Sequence, residues 1–165
     1  VDVVAGSIAG NGGLAIDLGP LGVNAHHAGD SAVGPNELLN SPVIDSARFD
    51  SLSHSGTIIG SLDAGPSRSY EIHFYLNDAC DPSGFGGAQT VLNVGPSPLF
   101  VNVTTDATGH AGFSTQTPFL PVGKFVTALT RRFANTSQTP ALVVSELSAC
   151  RHVVAADLIY TDGFE

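Results

Sequence analysis

The stretch NDACDPSGFGG, Asn77–Gly87, sets a cysteine between two aspartates and runs into a glycine-rich loop. Three chemistries draw on such residues: a metal site, an activated thiol, or one half of a structural cross-link. Zinc asks for three or four Cys or His ligands at short spacing, and Cys80 has neither a nearby His nor a second Cys beside it. A nucleophilic thiol needs positive surroundings, and Asp78 and Asp81 supply the opposite. Cys80 and Cys150 are the only two cysteines, an even count that favours a disulfide in an exported chain. Cys80 follows one candidate strand and Cys150 ends another, so the thiols can meet if those strands are neighbours. The loop so closed is long, and the cross-link is expected to stabilise the fold by about 4 kcal/mol.

The two aspartates have two readings. Asp78 and Asp81 can join backbone carbonyls around a calcium ion, or they can cap turns, as Asp-Pro pairs commonly do. Turn capping is the favoured expectation. The other polar residues offer less. His26 and His27 are adjacent, so an extended chain points them opposite ways, and a solvated loop is expected there. His73 shares a strand face with Glu71 and is expected either exposed or satisfied across strands. His54, His110 and His152 lack the spacing of a zinc-hydrolase helix. No Gly-x-Ser-x-Gly elbow occurs, no carboxylate pair stands out for glycoside chemistry, and the glycines of GNGG and GFGG are not followed by Lys-Ser or Lys-Thr. No catalytic residue is assigned, and a non-enzymatic chain is expected. Among the aromatic residues, Tyr70, Phe74, Phe113 and Phe125 are expected in the core. Tyr75 and Phe85 are expected at the surface, where an aromatic face beside Asp and Asn can stack on a sugar. The competing readings are cross-strand packing for Tyr75 and loop anchoring for Phe85.

The chain has 165 residues, enough for one domain with a short extension and a sizeable core. Six Lys and Arg stand against fifteen Asp and Glu, for a net charge of −9. Binding to a phosphate backbone or to an anionic bilayer surface therefore has no electrostatic basis, and nucleic acid is excluded as an expected partner. No apolar run approaches the length of a membrane span. Residue 1 is Val, and a processed product or excised fragment is the expected origin. The absence of Met and Trp, with many Gly, Ser and Thr, leans towards a secreted or cell-surface location.

The elements that must position these residues are short. Tyr70, Ile72, Phe74 and Leu76 alternate with Glu71, His73, Tyr75 and Asn77, the pattern of a half-buried strand. GTIIGSLDA, QTVLNVG, LFVNVTTD, GHAGFSTQT, GKFVTALTRRF and ALVVSELSAC are similar runs, separated by turn chemistry. TDATG, Thr105–Gly109, suits a tight hairpin, and NELLN a single helical turn. The expected fold is all-β: an antiparallel immunoglobulin-like β-sandwich over 42–150. A Gly/Asn/Pro-rich extension precedes it over 1–41, and a strand or tail follows over 151–165.

Several motifs carry a resemblance. GNGGLAIDLG, then GDSAVGPNELLNSPVI, then YEIHFYLNDACDPSGFGGAQTVL, TDATGHAGF, VSELSAC and the closing IYTDGFE keep their order along the chain. Together they resemble the C-terminal immunoglobulin-like module of bacterial secreted right-handed parallel β-helix proteins. The resemblance covers nearly the whole chain and implies export and architecture, with little chemistry. It implies that residues 1–41 contain a terminal β-helix coil, although one coil lacks the stacked neighbours a solenoid needs, so an added strand is the alternative. It also points to calcium at Asp17, Asp30 and Asn36, though GDSAVGPN keeps only Asp30 and Asn36 of an Asp-rich loop. No cofactor other than calcium is expected. The implied role is a non-enzymatic structural or adhesion module that caps a β-helical protein. Its partner is then the remainder of that chain, or a surface protein or glycan. Two alternatives stand beside it: a glycan-binding module using Tyr75 and Phe85, with or without calcium, and a filament subunit in which Val1–Gly19 adds to a neighbouring chain's sheet, making a homo-oligomer.

Overall fold

A computed structural model of the chain describes residues 6–30, 32–134 and 141–156. The first five residues of the segment expected to add to a neighbour's sheet, and the IYTDGFE ending, lie outside the described residues. The all-β class expected from the sequence holds. Among the described residues eleven strands run in order: β1 (Val43–Asp50), β2 (Ser55–Asp63), β3 (Ser69–Asn77), β4 (Thr90–Val91), β5 (Asn93–Val94), β6 (Ser97–Pro98), β7 (Phe100–Thr104), β8 (His110–Thr117), β9 (Phe125–Ala134), β10 (Ala141–Val144) and β11 (Arg151–Ala155). Two short 3-10 turns, Ala28–Asp30 and Pro35–Leu38, precede them, the second falling on the NELLN stretch. No described helix is long and apolar enough to cross a membrane.

One curled sheet runs β8-β2-β1-β11-β9-β3, with β4 and β7 sharing the outer side of β3 and β10 pairing the end of β9. The expectation of a purely antiparallel sheet is corrected at one place: β1 and β11 pair in parallel, Ala47 opposite Val153, so the sheet is mixed. The two halves, β8-β2-β1 and β9-β3, face each other across the main core. Phe74 on β3 meets Phe113 on β8 edge-on, with ring centroids 5.8 Å apart. This lies in the favourable range for aromatic pairs. On β2, Gly56, Ile58, Gly60 and Leu62 point inward. Gly60 carries no side chain because a Cβ there would meet the Val43 carbonyl and sit 2.5 Å from the Phe113 ring.

The Thr105–Gly109 turn is tight, but it does not fold its flanking strands onto each other. Strand β7 pairs β3 and β8 pairs β2, so the turn carries the chain between the two halves. Asp106 closes it by accepting hydrogen bonds from the Thr108 N–H (2.8 Å), the Thr108 hydroxyl (2.7 Å) and the His110 N–H (3.0 Å). Those donors, the Thr108 hydroxyl first, hold the carboxyl down to about 2.

Strand β3 departs most from the sequence expectation. It is buried on both faces from Ile72 to Asn77. Its second face forms a smaller core of Tyr75, Ala88, Leu129, Val144 and Leu147, packed against Ile8, Ala15 and Ile16. Residues 6–19 therefore lie over their own sheet, and Ile8 forms a two-way backbone bridge with Ala88, each N–H donating to the other's carbonyl at 2.8 Å. His73 is buried beside this region, stacked on Phe100 (5.3 Å between centroids) and bonded to Glu71 Oε2 at 3.0 Å.

Candidate functional site

The 80–87 loop is fixed from both ends. Cys80 and Cys150 form the expected disulfide, with Cα atoms 6.0 Å apart. Beside it, the Gly86 N–H donates to the Ser148 carbonyl (3.1 Å) and the Cys150 N–H to the Gly84 carbonyl (3.0 Å), so Phe85 lies bridged to Ala149. Within the loop, Asp81 caps its own turn by accepting from the Ser83 N–H at 2.9 Å. That backbone donor is the main reason its carboxyl lies below the usual range. The turn reading of Asp81 thus holds. Asp78 takes another part: it receives Lys124 Nζ at 2.6 Å and Gln89 Nε2 at 2.9 Å. The Lys124 ammonium leads in holding its carboxyl low.

Phe85, half-buried, divides two cavities. The first, about 320 Å³, is lined by Ile8, Asn11, Asp78, Asp81, Phe85 and Gln89 among others. The second, about 370 Å³, lies between residues 23–26, the start of β1 and the disulfide. Phe85 therefore keeps an accessible edge and also anchors its loop.

Tyr75 does not share that surface. It was expected to be exposed, and it is 0% exposed, because Ile8, Ala15 and Ile16 cover the face of β3 on which it stands. It cannot stack on a sugar in this arrangement. Of the oxygen donors named for calcium, Asp78 and Asp81 line the first cavity together, and the other three take part in separate backbone contacts. Asp17 accepts from the Gly19 and Gly22 N–H groups (2.9 and 3.1 Å), closing a turn. Asp30 accepts from the Asn40 N–H (3.1 Å), the Gly65 N–H (2.9 Å) and the Tyr70 hydroxyl (3.1 Å), bracing the first loop against the body. Asn36 donates to the Val144 carbonyl at 3.0 Å. Among the described residues no three His, Cys, Asp or Glu side chains form a cluster able to hold a metal ion.

Two further residues that bind the first segment to the body, Glu146 and Asn40, were not singled out in the sequence. Glu146, 7% exposed, accepts the Leu18 N–H (3.0 Å) and the Asn24 side-chain amide (2.5 Å) on one oxygen. Its other oxygen accepts the Asn24 N–H (3.0 Å). Asn40, 2% exposed, accepts from the His27 N–H and donates to the carbonyls of His27 and Asp63. A single carboxylate inside the apolar run VVSELSAC was the available signal, since a charge there is retained only when it is well bonded. His26 is exposed in its loop, as expected, with its Nε2 3.0 Å from the Ser41 hydroxyl; partial desolvation of the ring pushes it below the ordinary histidine value.

Comparison with protein-family models and with curated proteins finds no match to this chain.

Proposed function

We propose that this chain is a non-enzymatic structural module of an exported protein, an immunoglobulin-like body that closes the open end of a longer β-helical chain. The carrying observation is the way residues 6–41 are tied down. Glu146 holds that segment by the Leu18 and Asn24 N–H groups, Asn40 donates to the Asp63 carbonyl and Asp30 accepts the Gly65 N–H, and Ile8, Ala15 and Ile16 plug the outer face of β3. A segment so fixed transmits position from whatever precedes it to the body, as a terminating module requires and a loose tether does not. Capping has a physical use, because an open solenoid end presents unpaired backbone groups that invite association. The packing of β8-β2-β1 across a shared core from β9-β3, with Phe74 against Phe113, supports the immunoglobulin-like reading. The disulfide suits an oxidising compartment outside the cytosol.

The test is a fusion. A parallel β-helix protein stripped of its own terminal cap, joined through its last coil to residue 1, should stay monomeric where the uncapped protein aggregates. Aggregation of the fusion, with the module itself folded, overturns the reading.

A glycan-binding role has one specific support, the cavity where Asn11, Asp78, Asp81 and Gln89 meet the edge of Phe85. Polar side chains beside an aromatic edge suit sugar hydroxyls, and retention on immobilised polysaccharide that Phe85→Ala abolishes would establish it.

A further inference from the structure

The second cavity differs in character from the first. Its walls include Val23, Ala25, Pro42, Val43, Ile44 and Phe85, with Cys150 of the disulfide also lining it. At about 370 Å³ it is of a size that holds small ligands. None of its lining residues is Asp or Glu, although the chain carries fifteen. Its polar groups are Asn24, His26, Ser41 and Arg151. In a chain with only six Lys and Arg, Lys124, Arg131 and Arg132 all pair with carboxylates. Arg151 does not: its Nε donates to the Ile44 carbonyl at 2.7 Å, which orients the guanidinium at the cavity wall and leaves its terminal amino groups without a carboxylate among the described residues.

We propose that this cavity binds a small single-ring carboxylate, with the ring against Phe85, Val43 and Ile44 and the carboxylate on the guanidinium of Arg151. Planar bidentate pairing is what a fixed guanidinium offers a carboxylate. The apolar walls give the ring a surface to cover beside that pair. His26 and Ser41, already bonded to each other, offer a second polar point for a ring substituent. The walls come from four separate stretches of chain, each anchored: 23–26 through Asn24 to Glu146, 41–44 at the start of β1, Phe85 by the backbone bonds of Gly84 and Gly86 to Cys150 and Ser148, and 149–151 by the disulfide. Such a pocket is pre-formed, so little ordering cost falls on binding. The proposal is independent of the capping role.

Benzoate is the probe, titrated into the full chain and followed by amide NMR shifts, with benzyl alcohol as the uncharged control. Saturable shifts are expected at Ala25, Val43, Phe85 and Ala149. Benzyl alcohol should bind at least tenfold more weakly, the value of one charge-assisted contact, and Arg151→Gln should weaken benzoate to the same degree while leaving benzyl alcohol unchanged. Equal binding of acid and alcohol overturns the proposal, as do shifts centred elsewhere or no shift at all. The comparison of two probes on the unaltered chain decides the matter even if the Arg151 variant fails to fold.

Discussion

Glu146 offers the sharpest test of whether residues 6–41 belong mechanically to the body. Its carboxylate takes three hydrogen bonds from Leu18 and Asn24, and no cation pairs with it among the described residues. Hydrogen bonds to a charged group contribute about 1.5–3 kcal/mol each, but neighbouring bonds do not add independently. Water reaches this part-buried site after truncation, and removing the charge relieves its own desolvation. These offsets bring the expected cost of Glu146→Ala to about 3 kcal/mol. The loss should appear locally, because the segment contributes no strand to the main sheet and can open without it. Native-state hydrogen exchange at Leu18 and Asn24 should then speed by about two decades, since each factor of ten is worth about 1.4 kcal/mol. The amides of Ile72 and Phe74 should hold their protection. A second reporter is built in: with no Trp in the chain, uncovering of Tyr75 registers directly in tyrosine fluorescence quenching. Glu146→Gln keeps one acceptor and turns the other oxygen into a donor facing a donor, so it should open the segment to an intermediate extent. If Leu18 and Asn24 exchange no faster than the core amides in Glu146→Ala, the clamp is not what holds the segment, and the argument for a rigidly terminated module fails with it.

Two other outcomes follow from named contacts. The Cys80–Cys150 bridge spans 70 residues of sequence, so the double variant Cys80→Ala/Cys150→Ala should lose about 4 kcal/mol in urea unfolding, less any residual structure in the unfolded chain; a loss below about 1 kcal/mol would show that the backbone bonds beside it already hold the loop. His110 lies 2.8 Å from Asp63, and that hydrogen bond raises its ring above the ordinary value of 6.5. Its contribution to stability is present below pH 6.5 and is lost as pH rises through the folded value. NMR titration should find the ring above 6.5 and Asp63→Asn should return it there; an unshifted ring in the parent chain contradicts the geometry.

What the sequence disclosed and what it hid divide along the range of the interactions. The strands showed in local alternation: β2 and β8 point every second residue inward, as their β-branched and aromatic residues led one to expect. Asp81 was legible for the same reason, since an Asp-Pro turn is decided within a few residues. Tyr75 was not. Its neighbours on β3 read as a half-buried strand, and the residues that bury its second face lie some 60 positions earlier, in a glycine-rich segment with no period to mark them. Strand β11 escaped for a related reason. Arg151–Ala155 read as a strand or tail beyond the sandwich, yet it sits between β1 and β9 and joins the two halves. Five residues carry too little pattern to announce a central position, and parallel pairing across a hundred residues leaves no local trace. The carboxylates follow the same rule. Asp17 and Asp81 act within their own turns, whereas Asp30 and Glu146 reach across 35 and 128 residues to hold backbone N–H groups. An acidic residue in a loop is therefore informative about its neighbours, but only its distant donors decide whether it marks a ligand or a brace. In this chain the long-range carboxylates Asp30 and Glu146 are braces, and the cavity beside Arg151, which no carboxylate lines, is where an anion would find room.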